Sequence, residues 1–281
     1  MSTITATFRE LKRRNEGGLI AYAMAGDPSA KHTVKIADAL IAGGADILEL
    51  GIPFSDPISD GPTLQRAAAR ALKARTTPRK VFDTVAAIRT AHEVPIVLMT
   101  YYNIVHQMGA PAFCRAAEKS GVNGIVAPDL PVEEAGPYKK AAAHCGLDTI
   151  FLAAESTSDA RLKDLLEASS GFLYLVSTNG VTGTRETLRD DSKAFIKRAA
   201  SLTGGRVPLG VGFGLSQPSH VTQVIASGAS AAIVGSRFTK IVEQNLNSSD
   251  VMWEKLRRCA QTLKGGGALS SPRHLRPDVP T

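Results

Sequence analysis

Apolar residues along this chain fall into two alternating textures. Short continuous runs stand at 19–25 (LIAYAMA), 46–51 (DILELG), 95–102 (PIVLMTYY), 124–130 (GIVAPDL), 149–154 (TIFLAA), 172–177 (FLYLVS), 207–213 (VPLGVGF) and 231–235 (AAIVG). Each has the length and continuity of a strand buried on both faces. Between them, apolar residues recur at spacings of three and four, which predicts helices near 31–42, 63–74, 78–92, 110–120, 132–145, 159–169, 191–202, 218–227 and 237–262. A further amphipathic helix is expected near 3–15, ahead of the first strand.

Alternating β and α elements with fully apolar strands imply parallel pairing through right-handed crossovers. Eight such units predict an α/β fold of the (β/α)8 TIM-barrel type with an additional N-terminal helix, although an open doubly wound sheet has the same local texture. The barrel is expected to occupy residues 1–264 as a single catalytic domain. The Gly-, Pro- and Ser-rich segment 265–281 has no period and reads as a disordered C-terminal tail.

Composition narrows the function classes. A net charge of +7 suits an anionic ligand or a solvated basic surface, but the Lys and Arg residues do not interleave with aromatics as in a nucleic-acid site. Cys114, Cys145 and Cys259 form no CxxC pair, and the six histidines form no HxxxH pattern, which argues against a disulfide framework and a protein-held metal. No apolar run is long enough to span a membrane, and the default compartment is the cytoplasm.

In a barrel the chemistry belongs at the C-terminal strand ends. Those ends carry Glu49, Asp60, Tyr101, Asp129, Tyr174 and the glycines of GVTG (180–183), GFG (212–214) and GS (235–236). Strand alternation puts Ile47, Glu49 and Gly51 on one face and Leu48 and Leu50 on the other, so Glu49 points inward near the mouth. Desolvation there raises a carboxyl pKa and makes it a candidate general acid. Asp60, across a loop restricted by Pro53, Pro57 and Pro62, is expected at the same mouth, better solvated and ionised. The same pattern would arise if Glu49 paired with a buried cation and Asp60 only capped the helix from Thr63. The three glycine loops after strands 6 to 8 suggest a phosphate site, and Arg237 either adds charge to it or faces solvent.

The run ELGIPFSDPISDGPTLQ (49–65), with APDLPVEE (127–134), SxxGVTG (177–183), GFG (212–214) and VGS (234–236), resembles the tryptophan synthase α-subunit family over roughly residues 8–264. The resemblance implies a carbon–carbon lyase that cleaves indole-3-glycerol phosphate to indole and glyceraldehyde 3-phosphate in a retro-aldol reaction. It implies no cofactor in this subunit, pyridoxal phosphate belonging to the β partner of an α2β2 assembly. On the matching positions Glu49 is the acid/base that protonates indole C3, Asp60 accepts the indole N–H, and Tyr174 is the active-site tyrosine. Gly183, Gly214, Gly235 and Ser236 contact phosphate with Phe213 beside them. Tyr22, Tyr101 and Thr182 line the indole pocket or its closing loop, and Asp56, Pro57 and Asn103 meet the partner. Tyr22, where the family commonly has Phe, brings a hydroxyl that needs a partner. The segment Asn103-Ile104-Val105-His106 departs from the usual Asn-Pro, which supports an alternative, a stand-alone lyase releasing free indole; a non-catalytic phosphate-binding paralogue is a third reading.

Overall fold

In the computed structural model, which describes residues 2–176, 187–212 and 214–267, the strands and helices alternate along the chain. The strands are β1 Gly18–Met24, β2 Ile47–Gly51, β3 Ile96–Met99, β4 Gly124–Val126, β5 Asp148–Ile150, β6 Leu152–Ala154, β7 Leu173–Val176, β8 Leu209–Gly212 and β9 Ala231–Val234. The helices are α1 Thr3–Arg13, α2 Ala30–Ala42, α3 Pro62–Lys73, α4 Pro78–Arg89, α5 Tyr102–Met108, α6 Ala110–Ser120, α7 Gly136–His144, α8 Asp159–Ala168, α9 Asp190–Thr203, α10 Pro218–Ala226, α11 Ser236–Gln244 and α12 Ser249–Gly265.

All pairings are parallel, in the order β5-β4-β3-β2-β1-β9-β8-β7-β6. The two ends of that order are separated in the chain by one residue, Phe151, whose carbonyl accepts from the Tyr174 amide at 2.9 Å. β5 and β6 are thus halves of one interrupted strand, and the sheet is a barrel of eight strands.

Side chains alternate across this sheet as its pleat requires. Leu19, Ala21, Ala23, Leu48, Leu50, Leu98 and Ile125 face outward and join one core with Ile36, Leu40, Val81, Val85 and Phe113 of the surrounding helices. Ile20, Ile47, Val97, Val126, Ile150, Phe172 and Ile233 face inward and fill the lower barrel. α1 closes that end: Ser2 caps it by accepting from the Thr5 amide, and Ile4, Phe8 and Leu11, spaced four and three apart, pack onto the inner layer. The upper interior is left for the inward-facing polar groups.

Several boundaries differ from the sequence expectation. The third strand ends at Met99, and Tyr101 is the N-cap of a helix, α5, that the apolar run concealed; Asn103 is therefore an exposed helical residue. The fourth strand ends at Val126, and Asp129 in the following loop accepts from the Tyr102 amide at 2.8 Å. The single helix expected over 237–262 is two, broken after Asn245, whose amide turns back to donate to the Ile241 carbonyl at 2.7 Å. α12 runs to Gly265, and the Gly17 amide donates to Gly267 at 2.8 Å, so ordered chain continues three residues past the expected boundary at 264. Among the described residues no helix is long and apolar enough to cross a membrane.

Candidate active site

A cavity of about 520 Å³ opens at the C-terminal ends of the strands. Tyr22, Asp60, Met99, Tyr174, Gly214 and Ser236 are among its walls. Glu49 is not on the wall. It lies between Tyr22 and Val97 in the strand register, with no exposed surface and neither carboxylate oxygen hydrogen-bonded. Among the described residues no cation pairs with it, which argues against a buried ion pair. Burial, and secondarily the charge of Asp60, pushes its pKa up to about 8, so the carboxyl holds a proton at neutral pH.

Asp60 reaches the same mouth on the loop between β2 and α3. Tyr101 steadies that loop: its hydroxyl accepts from the Ser59 amide at 3.0 Å and its ring stacks on Phe54 at 5.2 Å. Gln65 returns from the first turn of α3 to donate to the Asp60 carbonyl at 2.8 Å. The N-cap of α3 is Gly61, without a side-chain bond, so Asp60 is no capping residue. One of its oxygens, Oδ1, is buried and unpartnered. Burial raises Asp60 to about 6, against the downward pull of the Tyr101 hydroxyl. Asp60 is the more exposed of the two, as expected, but it too is partly desolvated, so the two carboxyls differ in degree.

Two aromatic side chains complete the floor. Tyr22 lies across Gly51 on the neighbouring strand, where any Cβ would collide with its hydroxyl, and among the described residues that hydroxyl donates to the Met24 sulfur at 3.9 Å. Tyr174 lies across Gly212 in the same manner, with 2.7 Å between its hydroxyl and the position a Cβ would take. Burial and the nearby carboxylates hold both phenols well above the ordinary tyrosine range, so they remain donors. The sequence showed Gly51 and Gly212 but not this use of them, because the tyrosine each accommodates sits on another strand. Leu64 and Thr157, also on the wall, carried no signal in the sequence at all.

Gly214, Gly235 and Ser236 also line the cavity, and Gly235 lies against the Tyr22 ring. α11 begins at Ser236 with Gly235 as its N-cap and no side-chain bond to the first-turn amides, the arrangement that receives an anion. Arg237 is turned from this end and sits against Cys259 of α12. Thr182, Gly183 and Phe213 lie outside the described residues. Asp56, Pro57 and Asn103 stand off the cavity, on or near the surface, and between the first two and Asp60 is Ile58, 81% exposed. Among the described residues no group of three or more His, Cys, Asp or Glu side chains is placed to hold a metal.

The known proteins that resemble this chain share one family description. A family model described as tryptophan synthase alpha chain matches residues 8–267. The tryptophan synthase alpha chain of Methanosarcina acetivorans is 46% identical over 263 residues, covering 94% of this chain and 93% of the relative. That of Methanoregula boonei is 44% identical over 252 residues, covering 90% and 94%. Among solved structures, a chain of the α2β2 tryptophan synthase complex of Pyrococcus furiosus superposes with a TM-score of 0.84 at 40% identity, covering 89% of this chain and 98% of that one. The α subunit from Legionella pneumophila superposes with a TM-score of 0.86 at 31% identity, covering 95% and 98%.

Proposed function

Because this chain belongs to the tryptophan synthase alpha chain family, we propose that the cavity beside Glu49 and Asp60 is where it cleaves indole-3-glycerol phosphate to indole and glyceraldehyde 3-phosphate. The chain is a lyase of tryptophan biosynthesis that works with a β subunit in an α2β2 assembly. The observation that carries the site reading is the pair of unlike carboxyls, one enclosed and protonated near neutral pH, the other nearer the cavity and more readily ionised.

Phosphate binds at the start of α11, on the amides around Gly235 and Ser236 and on Gly214; Thr182 and Gly183, outside the described residues, join them by the family resemblance of GVTG alone. The indole ring then lies toward Tyr22, Tyr101 and Tyr174, its N–H directed at Asp60. Glu49 gives its proton to C3 of the ring, which makes the ring an electron sink. The positive charge that develops at the ring nitrogen is stabilised by ionised Asp60. Glu49, now a carboxylate, takes the proton of the glycerol hydroxyl next to the ring. The bond between C3 and that carbon breaks, its electrons return to the ring, and an aldehyde forms. The carbon–carbon cleavage is driven by proton transfers through Glu49 and by the charge of Asp60; pyridoxal phosphate belongs, on this reading, to the β partner. Asp56, Pro57 and Asn103 face that partner, with Ile58 among them, and the reaction is set in the cytoplasm.

Glu49→Gln tests the reading most directly. The amide keeps the shape but neither gives nor takes the proton, so indole release disappears while substrate binding persists. Indole release by this variant at the parent rate would remove Glu49 from the mechanism.

A further inference from the structure

The substrate has its reacting ring at one end and its phosphate at the other, so the distance between Asp60 and Ser236 has to be held. Asp60 immediately precedes α3 and Ser236 begins α11, two helices that pack against each other. The face that α3 turns to the barrel is Ala67, Ala68 and Ala71, lying on Tyr22 and Met24. Alanines allow close approach but supply no ridge to lock a helix along its axis. What crosses the junction is ionic. The Arg70 guanidinium makes a two-pronged bond to Asp27, with Nε and Nη2 each 2.8 Å from a carboxylate oxygen, and its Nη1 donates to Glu243 at 2.9 Å. Asp27, in the loop just after β1, is 3% exposed at its side chain. Glu243 lies in the last turn of α11 and also receives Arg66 at 2.7 and 2.9 Å.

We infer that Arg70 is a positioning residue for the lyase reaction: its guanidinium ties β1, α3 and α11 together at the barrel mouth and so sets the separation between Asp60 and the phosphate-receiving end. Asp27 is buried and Arg70 partly so, and an ion pair enclosed in this way is a poor source of net stability, a register role being its best-attested use. The inference rests on the site reading given above.

The test is steady-state cleavage of indole-3-glycerol phosphate by the full chain with its β partner. Arg70→Lys keeps the charge and can hold one carboxylate, but an ammonium cannot reproduce the fork that spans two. The expected result is a kcat lowered about tenfold and a KM raised about tenfold, as for a displacement of a fraction of an ångström, with the thermal midpoint within about 4 °C of the parent. A kcat and KM both within about threefold of the parent would overturn the inference. Should Arg70→Lys not fold, Glu243→Ala serves: it cuts only the link to α11, and it raises KM more than it lowers kcat, while an unchanged KM overturns the proposal. Asp60→Asn and Ser236→Ala are measured alongside. Losses in those two with none in Arg70→Lys defeat the clamp alone; parent-like activity in all three defeats the site reading beneath it.

Discussion

In the proposed mechanism Glu49 and Asp60 make the reaction pH-dependent on both sides. Cleavage there needs Glu49 protonated and Asp60 ionised, so the expected kcat rises through about 6 and falls through about 8, values that belong to the coupled pair. The Tyr101 hydroxyl lowers the Asp60 pKa. Tyr101→Phe removes that pull and moves the rising limb to higher pH, which a kcat profile between about pH 5 and 9 will register. The enclosed acid also affects stability. The native state holds the Glu49 proton more tightly than the unfolded chain, so its contribution is fully present below about 4.5 and is lost as pH rises toward about 8. Glu49→Gln is therefore more stable than the parent near pH 8, by on the order of a few kcal/mol, and the advantage shrinks toward pH 5 in thermal unfolding. Inward orientation of Glu49 was legible from strand alternation alone. The burial of Asp60 was not, because it depends on Tyr101, which is remote in sequence, and on how the 52–61 loop folds back.

At the level of elements, α1 is a plug for the barrel floor. Phe8 meets Phe172 with ring centroids 5.9 Å apart and is 5% exposed. Phe8→Ala should cost about 3–5 kcal/mol in urea unfolding and leave the kcat of the folded enzyme at the parent value, since the plug is at the end opposite the cavity. The alternation of textures made the strands and most helices readable. The misses have physical causes. TIFLAA is continuous in hydrophobicity, and only pairing to two different neighbours reveals the break at Phe151. PIVLMTYY runs on past Met99 because Tyr101 and Tyr102 are apolar enough to pack while starting a helix. The Arg70 junction gave no local signal at all, its partners being 43 and 173 positions away.

For the whole molecule, the cavity mouth and the outer loops are adjacent, so on the proposed reading partner docking and catalysis share the segment from Asp56 to Asp60. Ile58 is an exposed large aliphatic in that segment, and burial against a partner is the physical use that fits it. Ile58→Ser should leave the stability of the isolated chain within about 0.5 kcal/mol and weaken association with the β subunit roughly tenfold, measured by titrating indole formation against β. The barrel itself is closed by pairing β1 with β9, Gly18 opposite Ala231 and Ala21 opposite Val234. During synthesis β1 leaves the ribosome before every other strand of the barrel and meets this neighbour only when all the others have followed. Until then one edge of the earliest strand stands open, and closure must gather a loop of most of the protein's length. Of the pairings in this barrel, the one between its last strand and its first spans the most sequence, and the time before it forms is when β1 is most exposed to pairing with something else.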